Sequence, residues 1–267
     1  MTTNNTFNLS RFIELIKQNV LINFSLILKA VIGFIFGLCL ILLIIQRANR
    51  FHGLSEDNVF PFFIVAFFLL GILIAGTSFP GLRSKEKAFG YIMLPTTVLE
   101  KFVFEFSARV GLYVLMFPLL FSIIYGIEGS IVASFYPDYS QVSVLDEASK
   151  IFGIISRQES VGWIYLLTIS LIFLPLITSL TGTTFFTKHP LLKTLFSVTI
   201  LIFFHFALLY FFAEFLGWKK YNLPDDGSWV LPKRKGDPPY AAFAILASLA
   251  NLVLLLVSYF KLKEREV

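Results

Sequence analysis

Long stretches of almost uninterrupted hydrocarbon alternate with short polar joints along this chain. A bilayer crossing needs about 20 mostly apolar residues, because in hydrocarbon every backbone amide must be satisfied inside its own helix. That ruler marks six predicted spans, at residues 21–46, 59–79, 102–127, 162–182, 191–216 and 240–260. Only "GTTFFTKHPLLK" separates the fourth from the fifth, and Lys188, His189 and Pro190 favour a break there. Alternation with regular turn signals does not recur, which argues against a transmembrane barrel.

Two further stretches carry helical periodicity. In "NLSRFIELIKQNV", Leu9, Phe12, Ile13, Ile16 and Val20 share one face, while Arg11, Glu14, Lys17 and Gln18 fall elsewhere. This predicts an amphipathic helix over 7–20, either an elbow lying along the inner membrane surface or an extension of the first span into water. In "VLDEASKIFGIISRQ", Leu145, Ala148, Ile151, Phe152 and Ile155 lie opposite Glu147 and Lys150, predicting a surface helix on the outer side.

Composition agrees with the pattern. The 267 residues are 57% hydrophobic and 15% charged, whereas a soluble domain is roughly 45–50% apolar and ~25% charged. The expected fold is therefore a single all-α integral membrane domain over 1–267, with six transmembrane helices and an N-terminal amphipathic elbow helix. The net charge of +5 forms no continuous basic face, so nucleic acid is not an expected partner. Cys39 is the lone cysteine, which rules out an internal disulfide and a cysteine-based metal cluster. The polar N-terminus lacks a basic region and the first apolar run lacks a small-residue cleavage site, so that run is expected to be retained. With both termini in the cytoplasm, eleven basic residues fall on the inner side and nine on the outer, a bias in the positive-inside direction.

The joint between spans two and three, "LRSKEKAFGYIMLPTTVLEKF", carries the most distinctive chemistry. Ser84 can cap a short helix whose first turn holds Glu86, and Gly90 interrupts it before the Leu94-Pro95 break. Thr97 and Glu100 then have the spacing of a capping box, which predicts a firm start to the third long helix. The loop reads as a short charged helix, an apolar elbow and a capped span, a handle presented to something in the cytoplasm.

These residues resemble the type-two class of ABC transporter permeases. Arg83, Lys85, Glu86, Lys87, Leu94, Pro95, Thr96, Thr97 and Lys101 stand in the positions of that family's charged cluster, Leu-Pro step, hydroxyl residue and basic opening of span three. The chain departs from the family in having Ala88, Phe89 and Gly90 where a Gly-Thr is common, and in the polar "GWKKYNLPDDGSWVLPKRKGDPPY" between spans five and six. The resemblance implies an exporter subunit of a bacterial cytoplasmic membrane. It would pair as a homodimer or heterodimer and take motion from a separate ABC ATPase through a coupling helix in this loop. No G-x-x-x-x-G-K-[ST] phosphate loop occurs, so ATP hydrolysis would belong to the partner, and neither enzymatic activity nor a cofactor is expected of this chain.

Polar residues within the spans extend the picture. Lys101, Glu105 and Arg109, at i, i+4 and i+8, form a stripe that enters span three from the loop and serves either as a structural ion-pair row or as a relay into the bundle. Gly33 and Gly37 match the small-x-x-x-small pattern of close helix packing. His205 and Glu214 raise the alternative of a proton-coupled secondary transporter, but their separation puts them on opposite helix faces. A non-transporting membrane scaffold or assembly subunit is the other reading left open.

Overall fold

The computed structural model describes residues 7–48, 56–83, 96–136, 139, 142–156, 161–186, 188–200, 203 and 239–266. All the regular structure among them is helical. Helix α1 is Leu9–Ala48, α2 Glu56–Ala75, α3 Val98–Phe135, α4 Val144–Ser156, α5 Val161–Phe185, α6 Pro190–Ile200 and α7 Pro239–Glu266. A short 3-10 turn, Pro80–Arg83, follows α2. Five of these helices, α1, α2, α3, α5 and α7, are long and apolar enough to cross a membrane, so the chain is a multi-pass α-helical membrane protein.

Several boundaries differ from the sequence expectation. Helix α1 runs unbroken for 40 residues, with no turn dividing residues 7–20 from the span beyond them. It starts where Asn8 caps it, the Asn8 Oδ1 accepting from the Ser10 amide at 2.9 Å. Helix α3 is longer than the predicted 102–127, because capping carries it back to Val98 and apolar residues continue to Phe135. Helix α2 stops at Ala75, short of 79, since Gly76 and Thr77 turn and Phe79 takes a left-handed backbone with φ 52°. The surface helix expected after span three is present as α4, with Asp146 and Glu147 in its first turn. Of the predicted fifth span, 191–216, the described part is α6 with Phe203; the remainder, including His205 and Glu214, lies outside the described residues.

The core is an aromatic seam between α2 and α3. Phe63, Phe67, Tyr113, Phe117 and Phe121 meet at ring separations of 5.1–6.3 Å, in tilted and edge-on arrangements. Gly71 gives this seam room: a Cβ there would meet the Tyr113 ring at 2.6 Å and also Leu176 of α5. The Tyr113 hydroxyl donates to the Phe67 carbonyl at 2.6 Å, so the one polar atom of the seam is bonded.

Helix α5 packs most extensively on α7, held by small and hydroxylated residues. Ser170 and Ser248 share a hydrogen bond at 2.7 Å, Asn251 Nδ2 donates to the Ser170 carbonyl at 2.8 Å, and Arg265 Nη2 donates to the Phe185 carbonyl at 2.7 Å. Contacts that rise together along both helices show that α5 and α7 run parallel. By the same criterion α1 is parallel to α3, and α2 is antiparallel to α3.

Candidate functional site at the loop end of the bundle

The bundle end that carries the loop between α2 and α3 is fastened by three layers of contact. The outermost is built on the α3 cap. Thr97 Oγ1 accepts from the Glu100 amide at 3.3 Å while Glu100 Oε2 accepts from the Thr97 amide at 2.8 Å, the reciprocal box that the Thr-x-x-Glu spacing predicts. Spacing alone did not reveal that this carboxylate also reaches α1. Its Oε1 accepts from the Asn8 amide at 2.8 Å and pairs with Arg11 Nη2 at 3.1 Å, so the fully buried Glu100 joins the starts of two long helices.

The second layer is the predicted stripe. Lys101 and Glu105 are buried, and Arg109 pairs with Glu105 at 3.5 Å. Arg109 Nη1 also donates to Thr77 Oγ1 at 3.1 Å, tying α3 to the end of α2. Arg109 sits in a π-helical turn, Ser107–Gly111, that interrupts α3. Such a turn adds a residue to the helix and re-aims the side chains beyond it, and it is common at functional sites. No sequence signal marked it.

The third layer is aromatic. Buried Phe79, held in its left-handed conformation, stacks on Phe102 at 6.5 Å, and Phe102 meets Tyr259 of α7 at 5.9 Å. A bulky residue with positive φ is rare and persists only where its surroundings enforce it. The chain leaving α2 and the chain entering α3 are therefore pinned side by side.

The helix lengths can be compared with the thickness of the bilayer. From Arg109 to Glu128 is 19 residues, or about 28 Å at 1.5 Å per residue, close to the ~30 Å hydrocarbon thickness. Asn58 to Ala75 on α2 and Lys29 to Gln46 on α1 each advance 17 residues, about 26 Å by the same rise. A hydrocarbon layer of that thickness laid between Arg109 and Glu128 would leave Lys101 and Glu105 outside it, on the loop side.

Of the remaining candidate residues, Arg83 closes the 3-10 turn after Phe79, whereas Ser84, Lys85, Glu86, Lys87 and Pro95 lie outside the described residues. At Gly33 and Gly37 nothing approaches within 4 Å of where a Cβ would stand, so this pair packs against no other part of the described chain. Gly182, which the small-residue pattern did not single out, is the tightest approach: a Cβ there would overlap the side chain of Thr194 on α6. Among the described residues no group of three His, Cys, Asp or Glu side chains gathers as a metal site. Compared with family models, characterised proteins and solved structures, the chain matches none.

Proposed function

We propose that this protein is the permease-like membrane subunit of an ABC export system, driven through the loop between α2 and α3 by a separate ATPase subunit. The observation that carries the reading is the Glu100 junction. One buried carboxylate locks the α3 cap to the start of α1, while Arg109 and Phe79 lock α3 to the exit of α2. A loop mounted on such a base transmits a push to three helices at once, which a solvated connector has no need to do. The parallel run of α5 and α7 supports a sixth crossing, at 191–216. The chain leaves α5 at the loop end and resumes in α7 at the opposite end. With that crossing, both termini lie on the loop side, in the cytoplasm, and dimerisation with a second membrane subunit completes the translocation path.

Photo-crosslinking from Lys85 or Lys87 in native membranes tests this directly. The expected product joins the chain to a Walker-type ATPase, and its yield changes when ATP is replaced by ADP. Adducts confined to membrane or envelope proteins, indifferent to nucleotide, would replace the permease with an assembly scaffold.

A further inference from the structure

At the end of the bundle opposite the loop, a second polar knot joins α1 to α3, and neither the loop nor the permease reading uses it. Gln46, the third residue from the end of α1, is fully buried; Glu128 on α3 is 6% exposed. Gln46 Nε2 donates to Glu128 Oε2 at 2.6 Å and to the Tyr139 hydroxyl at 3.1 Å. Tyr125 lies on the same face of α3, three residues before Glu128, and is itself buried. The groups around the carboxylate are thus an amide and two phenols. Among the described residues no basic side chain pairs with it, and Arg47, next to Gln46, is exposed.

Two oxygens of the knot are left over. Glu128 Oε1 and Gln46 Oε1 are both buried without a donor. Each is an acceptor, and a buried carboxylate with no compensating donor or charge is costly. What the knot lacks is a single positive charge able to face oxygen on both sides. An acid and a primary amide joined by one N–H···O bond leave free the two oxygens that a proton can bridge, and the same two oxygens can face a small alkali ion.

We propose that Glu128, Gln46 and Tyr139 form a buried site for one monovalent cation, supplied either as a proton on Glu128 or as an alkali-metal ion between Glu128 Oε1 and Gln46 Oε1. Binding there fastens α1 to α3 at the end of the bundle opposite the one that Glu100 fastens. Burial and the Glu128 carboxylate hold the Tyr139 phenol above its ordinary range, so Tyr139 keeps its proton near neutrality while the site fills or empties.

The test is thermal unfolding of the purified full chain in detergent, wild type beside Glu128→Gln, from about pH 5 to 8 in choline chloride and again with lithium, sodium or potassium chloride. Gln carries its own donor and needs no cation, so the variant's Tm reports the pH and salt response of every other group and serves as the baseline. The wild-type Tm, taken relative to Glu128→Gln, should fall by several degrees as pH rises in choline. Recovery at high pH on adding one alkali chloride identifies an ion as the occupant; no recovery identifies the proton. A wild-type Tm that tracks the variant at every pH and salt overturns the site. Gln46→Leu provides a second check, because it keeps the carboxylate but removes the amide. The pH or salt midpoint must then move, and an unmoved midpoint overturns the site equally.

Discussion

Glu100 concentrates more of the loop end than any other residue, since its two oxygens accept from Thr97, Asn8 and Arg11. Replacing it by Ala leaves two amides and a guanidinium short of an acceptor. We expect a loss of about 2 kcal/mol, against ~1 kcal/mol for Thr97→Ala, which removes one arm of the cap. Chemical or thermal unfolding of the variants in detergent measures both, and equal losses would mean that the α1 contact contributes nothing. The glycines divide just as sharply. Gly182→Ala and Gly71→Ala force a Cβ into occupied space and should cost about 1–3 kcal/mol each. Gly33→Ala and Gly37→Ala meet nothing and should gain up to ~1 kcal/mol from helix propensity. If Gly33→Ala or Gly37→Ala instead weakens a dimer seen by light scattering or crosslinking, that pair is an interface between copies.

At the scale of elements, the chain's spans were legible where length and hydrocarbon decide, as in α2, α3, α5 and α7. The Thr97 capping box was legible because its geometry is local, set by residues three apart. What escaped reading is non-local. The ruler closed span three at residue 127, one short of Glu128, so a carboxylate that buries itself against Gln46 looked like a loop residue. The periodicity of 7–20 was read correctly as helical, but nothing within those residues tells a helix that stops at 20 from one that continues to Ala48. The π turn at Ser107–Gly111 has no compositional mark, and the contact it carries, from Arg109 to Thr77, joins residues 32 apart in the chain. The membrane register rests on these helices and is testable on α3. In a background lacking Cys39, cysteines at Leu115, Leu119 and Ile123, all exposed on the bundle surface, should resist a charged maleimide in intact bilayers. Cysteines at Leu99 and Phe135, also exposed, should react. Equal reactivity along the helix would displace the boundary from Arg109 and Glu128.

On the scale of the whole molecule, the bundle is held apart from its own polar ends. Aromatic packing of α2 on α3 and small-residue and hydroxyl contacts of α5 with α7 fill the middle, while the charged contacts between α1 and α3 lie at the two ends of those helices. The static contacts join α1 to α3 at both ends and α5 to α7 along their length, and on the proposed reading a force applied at the loop between α2 and α3 would reach α1 through Glu100. Coupling to an external ATPase is the central claim, and affinity purification in gentle detergent, with an ATP-hydrolysis assay of the eluate, tests it most directly. Wild-type protein should bring down an ATPase and its activity, and the triple reversal Lys85→Glu, Glu86→Lys and Lys87→Glu should lose both while the chain itself stays folded. An ATPase absent from the wild-type sample, or retained in full by the reversal, would contradict it.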